Sequence, residues 1–201
     1  MKEIIAIVGA GGKTTLLHRL IKKHYKEQKK VLAITTTHMK YEEEMVISGK
    51  IEDIKEQLDT KGWCLAGTFD EKKGKISALE ESLYRKACEY ADIVVIEADG
   101  ANHHTVKVPA VYEPVIPENV TKMIVVMGMM DIGRPMGEVV HRFGLLEGVG
   151  EEEVLTMEWV EKLAMDGYVK PWRKKRPDME IEVRYTRWEE GVLSYYKGKN
   201  K

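Results

Sequence analysis

The sequence predicts an α/β fold, a parallel β-sheet flanked by helices, and three observations carry that expectation. Residues 4–8, 31–34 and 93–96 are short, nearly continuous apolar runs rich in β-branched side chains, as strands buried on both faces of a parallel sheet are. A segment of helical periodicity separates the first two runs, which is the pattern of a β-α-β unit with a right-handed crossover. Between the first run and that helix stands Gly9-Ala10-Gly11-Gly12-Lys13-Thr14-Thr15, where glycines, a lysine and hydroxyls interrupt the apolar pattern.

The elements follow in order. Ile4, Ile5, Ala6, Ile7 and Val8 make the first strand. After the glycines, Leu16, Leu17, Leu20, Ile21 and Tyr25 recur at helical spacing. Lys22, Lys23, Lys26, Lys29 and Lys30 fill the outer face and the C-terminal end, where the helix dipole favours cations, and this helix is expected to end near Gln28. The strand at 31–34 runs into Thr35, Thr36, Thr37 and His38. Ligands gather at the carboxyl ends of parallel strands, so His38 and the threonines are expected to face the same crevice as the glycine loop; strand preference and a capping histidine would explain them equally.

Residues 49–62 read as an amphipathic helix with Ile51, Ile54 and Leu58 on one face and Gly62 as its stop. Residues 63–69 read as a strand, Asp70-Glu71-Lys72-Lys73 as a solvated charged turn, and Gly74 as a turn before Ile76. A helix over 80–91 carries Leu83, Ala87 and Tyr90 toward the core. The apolar strand at 93–96 then delivers Glu97-Ala98-Asp99-Gly100.

The 201 residues suffice for one compact core, expected as a single domain over 1–201 in which residues 151–201 could form a small C-terminal helical and strand extension. Lys and Arg (32) nearly balance Asp and Glu (33), for a formal net charge of -1, so no global field draws in nucleic acid or an anionic membrane. Cys64 and Cys88 lie far apart and form no C-x-x-C pair, which argues for a reducing compartment and against a zinc or disulfide framework. The N-terminal apolar run of five residues leads directly into the glycine loop, so neither a signal peptide nor a membrane span is expected, and a cytoplasmic location is implied.

The chemistry lies at two strand ends. Glycines without Cβ let backbone N–H groups close around phosphate oxygens at the positive end of a helix, Lys13 would reach the terminal phosphates, and the Thr14 hydroxyl is placed to bind Mg²⁺. Gly9, Ala10, Gly11, Gly12, Lys13, Thr14 and Thr15 are therefore the candidate nucleotide-binding residues. The usual spacing is G-x-x-x-x-G-K-[ST]; here the position five before Gly12 is Ile7, inside the strand, so the loop is a compact G-x-x-G-K-T-T. A plain glycine turn with an incidental lysine is the alternative. A carboxylate at the end of a buried strand is the physical content of a Walker B element. Alternation puts Glu97 and Asp99 on one side, with Asp99 the first choice for the metal and Glu97 for water or support, the roles being exchangeable. Lys13, Glu97 and Asp99 are thus the catalytic candidates, and Thr14, Asp99 and Glu97 the metal candidates, of a P-loop nucleoside triphosphate hydrolase type using Mg-ATP or GTP.

At this point VGAGGKTT, TTTH, EADGA, Lys107-Val108-Pro109-Ala110 and Glu113-Pro114-Val115-Ile116-Pro117 together resemble the YqeC family, described as accessory proteins of selenium-dependent molybdenum hydroxylases. The likeness continues through Gly128, Asp131, Gly133, Pro135, His141-Arg142 and a helix led by Thr156, over roughly the first 170 residues. The resemblance implies a P-loop fold, nucleotide binding, and a molybdenum hydroxylase or its cofactor-maturation proteins as partners. It also makes Lys107 a second cation near the phosphates, a surface lysine being the alternative. Pro109, Pro114 and Pro117 stiffen the loop carrying Glu113, and Arg142 either stabilises charge on a transferred phosphoryl group or caps a helix. His103 and His104, adjacent in the chain, are not expected to share a metal.

Family members tend to carry an N-K-x-D-like segment after a late strand. Here the strand at 181–185 runs into Thr186, Arg187, Trp188 and Glu189, so adenine is favoured over guanine. Residues 190–196 read as a last short helix, the lysine-rich end as frayed, and Arg173-Lys174-Lys175-Arg176 as a solvated loop without the aromatics that stack RNA bases. Two other functions share the phosphate chemistry. One is an ATP-dependent kinase, or a ligase of the Mur type, acting on a small molecule. The other is a nucleotide-gated binding module or chaperone with partner contacts around residues 128–150.

Overall fold

A computed structural model describes residues 2–198; Lys199, Asn200 and Lys201, in the end expected to fray, lie outside the described residues. The fold is mixed α/β, with a mostly parallel central sheet and flanking helices, and its residues gather into two compact units. The first holds the chain up to Ile7, Thr14–Asp99 and Val115–Thr121; the second holds Val8–Lys13, Gly100–Pro114 and the chain from Lys122 onward.

Ten elements come first in the chain: β1 (Glu3–Gly9), α1 (Lys13–Lys26), β2 (Val31–Thr35), β3 (His38–Lys40), α2 (Ile51–Lys61), β4 (Trp63–Leu65), β5 (Thr68–Asp70), β6 (Lys75–Ser77), α3 (Glu81–Tyr90) and β7 (Ile93–Glu97). In the first unit the strand order is β1-β7-β2-β4, every pair parallel. Its strands are apolar throughout because both faces are covered: Ile5, Ile7, Leu32, Ala33, Val94 and Val95 are all buried. In α1 the buried stripe is Leu16, Leu17, Leu20, Ile21 and His24, each apolar member worth about 1.5–3 kcal/mol of burial. Tyr25, expected in that stripe, is 51% exposed, because the register of the stripe selects His24 one residue earlier. Gly62 ends α2 as expected, at φ 75° with its N–H donating to the Leu58 carbonyl. In α3 the buried residues are Leu83, Tyr84, Ala87 and Cys88; Tyr90 is only half-buried.

The expected single strand over 63–69 is two. β4 joins β2, whereas β5 joins β6 and β3 in a separate antiparallel sheet. Gly67 lies at the break, where a Cβ would fall 2.1 Å from Ile76 Cγ2, so the change of sheet needs a residue without a side chain.

The later elements are β8 (Val106–Lys107), β9 (Lys122–Gly128), α4 (Met136–Val139), β10 (Val140–His141), a 3₁₀ turn (Phe143–Leu145), α5 (Met157–Ala164), a π-helical turn (Met165–Val169), α6 (Lys170–Lys175), β11 (Glu180–Glu189) and β12 (Val192–Lys197). Thr156 caps α5 as expected, its hydroxyl accepting from the Trp159 N–H. In the second unit β9 and β11 run parallel, and β12 returns antiparallel along β11.

Three expectations are overturned in this region. Residues 190–196 are not helical: Glu190 (φ 49°) and Gly191 (φ 78°) form a two-residue hairpin turn, and the chain goes back as β12. Thr186, Arg187, Trp188 and Glu189 are the end of strand β11 itself and not a segment after it. Arg173, Lys174 and Lys175 belong to α6, on its exposed side, and only Arg176 leaves the helix, paired with Asp178.

The glycine loop packs tightly in the second unit. A Cβ on Gly9, at φ 91°, would sit 2.1 Å from the Val126 carbonyl oxygen, whereas one on Gly74 would meet nothing within 4 Å. Gly9→Ala is expected to cost about 3 kcal/mol or more, strain and overpacking together. Gly74→Ala, with strain alone, should cost about 1 kcal/mol. Urea midpoints measure both, and equal losses would contradict the packing described here.

Candidate functional site

In the second unit the loop is drawn back by its carbonyl groups. Gly9, Gly11 and Gly12 have φ of 91°, 83° and 134°. The Ala10 N–H donates to the Val126 carbonyl at 2.8 Å. The Thr186 hydroxyl donates to the Gly11 carbonyl, and the Tyr195 hydroxyl to the Gly12 carbonyl at 2.7 Å. Lys13, 5% exposed, donates from Nζ to the Gly9 carbonyl at 2.8 Å. In a trans peptide the C=O and N–H point oppositely, so holding the carbonyls of Gly11 and Gly12 on one side turns the N–H groups of Gly12 and Lys13 to the other. A Cβ on Gly11 would come within 2.7 Å of Gly128 Cα, and one on Gly12 within 2.7 Å of Leu193 Cδ2.

Thr186 and Tyr195 were not among the residues that the sequence singles out. Tyr195 is hidden by the helical reading of 190–196. With β12 as a strand, Leu193 and Tyr195 fall on one side by alternation, and both meet Gly12.

In the first unit two predicted metal candidates come together. The Thr14 hydroxyl donates to Glu97 Oε2 at 2.9 Å. Glu97 is 7% exposed and ends β7; its carbonyl accepts from the Thr35 hydroxyl at 3.0 Å and the Thr36 N–H at 3.1 Å. Asp99 is fully buried but lies beyond the strand, so strand alternation does not relate it to Glu97 as expected. Thr15 is exposed in the first turn of α1. Among the described residues no group of three or more His, Cys, Asp or Glu gathers to hold a metal. A hydroxyl beside one carboxylate is a hard oxygen pair that suits Mg²⁺, which keeps waters and phosphates for its other positions.

His38 belongs to the small antiparallel sheet. Its Nε2 lies 3.0 Å from Lys73 Nζ and 3.7 Å from Asp70, so the charged turn expected to be merely solvated supplies its neighbours. Of the threonines before it, Thr36 donates to the Val115 carbonyl at 2.7 Å, while the Thr37 hydroxyl oxygen is buried without a hydrogen-bond partner.

A third cluster, in the second unit, is built on Glu113. Lys107 is fully buried, which excludes the surface reading, and donates to Glu113 Oε2 at 2.7 Å and to the Gly100 carbonyl at 2.5 Å. Arg142, at φ 61°, binds the same carboxylate through both terminal nitrogens, Nη2 at 3.0 Å from Oε1. Its guanidinium is thus engaged with Glu113, which neither sequence reading of Arg142 anticipated. Burial alone would push the Glu113 carboxyl upward; the Arg142 and Lys107 cations outweigh it and hold the group down at about 2. His141 stacks on His104 with ring centroids 5.3 Å apart, and burial together with the Arg142 and Lys107 charges lowers its pKa.

The sequence model of the YqeC protein family matches residues 5–144. The chain belongs to the YqeC family. The match takes in the glycine loop, Glu97, Asp99, Lys107, Glu113 and Arg142, and stops short of Thr186 and Tyr195. An Escherichia coli (strain K12) member, described as "Uncharacterized protein YqeC", is 31% identical over 151 residues. The aligned region is 70% of this chain but 57% of that protein, so the chain spans little more than half the length of this relative. No solved structure matches the chain. Among the described residues no helix is long and apolar enough to cross a membrane.

Glu113→Ala removes the carboxylate facing the buried Lys107 and is expected to cost about 3–5 kcal/mol, read from denaturant midpoints. In the intact protein the contribution of Glu113 is full above its ordinary value of 4.5 and is lost as pH falls from there toward about 2. Acid unfolding of Glu113→Ala should therefore be flatter than wild type across that interval; parallel curves would contradict the pairing.

Proposed function

We propose that this YqeC-family chain binds a Mg²⁺-nucleoside triphosphate, ATP or GTP, through Gly9, Ala10, Gly11, Gly12, Lys13, Thr14 and Thr15, and hydrolyses it as an accessory factor in maturing a selenium-dependent molybdenum hydroxylase. The observation that carries the nucleotide reading is the glycine loop: three positive-φ glycines whose carbonyls are tied back while the N–H groups of Gly12 and Lys13 turn the other way. The Thr14–Glu97 oxygen pair supports the cation, and family membership, with the resemblance quoted above, supports the accessory role.

When bound, Mg-nucleotide supplies a phosphoryl group whose developing charge the cation helps neutralise. Lys13, which donates to the Gly9 carbonyl, would turn to a phosphate oxygen of the bound nucleotide. Thr14 and the carboxylates of Glu97 and Asp99 would divide two tasks, holding the cation and orienting the attacking water. Lys107 helps fix the loop carrying Glu113, and His38 remains a candidate contact for the nucleotide.

A second reading, transfer to a small-molecule acceptor as in a kinase or ligase, is favoured by one feature of the first unit. A cavity of ≈ 700 Å³ opens where β2 ends, lined by Thr35, Thr36, Tyr84, Arg85 and Asn119 among others, a size that suits a small ligand. Phosphate released from Mg-ATP by the protein alone indicates a hydrolase, and release only with an acceptor a transferase; tight binding with negligible turnover indicates a binding module.

Lys13→Ala is expected to weaken nucleotide binding about 10- to 100-fold by titration calorimetry, the loss of one charge-assisted contact to phosphate. Unchanged affinity would overturn the nucleotide reading.

A further inference from the structure

A cavity of ≈ 640 Å³ in the second unit is lined by Met129, Met130, Ile132, Met157, Arg187 and Trp188. Its walls are chain neighbours of the residues that hold the glycine loop. Thr186, whose hydroxyl binds the Gly11 carbonyl, precedes Arg187 and Trp188, and its own carbonyl accepts from the Met129 N–H at 2.8 Å. Gly128, against which Gly11 packs, precedes Met129. Trp188, two residues beyond Thr186 on β11, is 59% exposed.

The lining has a definite chemistry. An exposed indole, three flexible and polarisable thioethers and a guanidinium all favour the face of a flat heteroaromatic ring. None of the six lining residues is a carboxylate that could accept from the guanine N1–H and N2 amino group. The carboxylate between Met130 and Ile132, that of Asp131, is engaged by the Thr105 hydroxyl at 2.6 Å and by Arg134 at 2.9 Å.

We infer that this cavity is the nucleobase subsite, and that it takes purines by stacking on Trp188 among the methionines without reading their edges. The inference rests on the proposed nucleotide binding by the loop. It replaces a preference for adenine with near-equal acceptance of ATP and GTP.

Titration of the whole chain with Mg²⁺ and, separately, ATP, GTP and inorganic tripolyphosphate tests it. Wild type should bind ATP and GTP within about tenfold of each other, and Trp188→Ala should weaken both about tenfold or more. Tripolyphosphate binding should be unchanged in Trp188→Ala, and Trp188→Phe should retain most of the nucleotide affinity. Nucleotide but not tripolyphosphate should quench tryptophan fluorescence, and the quenching should fall in Trp188→Phe. If Trp188→Ala leaves ATP and GTP unchanged, or weakens tripolyphosphate equally, the base subsite is overturned while Lys13-dependent tripolyphosphate binding keeps the phosphate loop. If tripolyphosphate binding is absent or indifferent to Lys13→Ala, the loop reading fails and takes the base subsite with it.

Discussion

Two side-chain hydroxyls decide the shape of the glycine loop. Peptide groups at positive φ have many ways to turn, and Thr186 and Tyr195 remove that freedom by taking the Gly11 and Gly12 carbonyls. The glycines admit the close packing and the hydroxyls choose the orientation, so neither device suffices alone. The Ala10–Val126 bond fixes the loop's other end to the interior of β9.

Elsewhere in the same unit one buried carboxylate organises an irregular stretch of chain. Glu113 gathers the Lys107 ammonium and the Arg142 guanidinium, and so reinforces a stretch of chain whose ladder between β8 and β10 is two residues long. Such a cluster is strong because it is complete: a buried cation with its carboxylate removed would be costly. Prolines on either side of Glu113 limit the conformations the loop surrenders on folding.

Much of this fold was legible in the sequence because apolar runs and helical stripes report burial directly. The strands at 4–8, 31–34 and 93–96 and the Gly62 stop follow from local chemistry, and the helix led by Thr156 from the family resemblance. What escaped depended on distant partners. Gly67 looked like an ordinary strand residue until Ile76 explained it, and 190–196 looked helical because the left-handed Glu190 gives no strong turn signal beside Gly191. At the candidate site the motif residues were legible, but the meeting of Thr14 with Glu97 was not, since the sequence favours Asp99 as the metal's carboxylate. Thr186, Tyr195 and the Glu113 cluster were not, because hydroxyls and ion pairs carry no periodic signature.

The two bonds from Thr186 and Tyr195 span 175 and 183 residues of sequence. On the ribosome the glycine loop is made well before β11 and β12, the two strands that set it. Contacts of such separation form late. The loop of a nascent chain therefore has its composition long before it has its conformation, and any ligand that needs the finished loop can act only once β11 and β12 have been made and have folded against it.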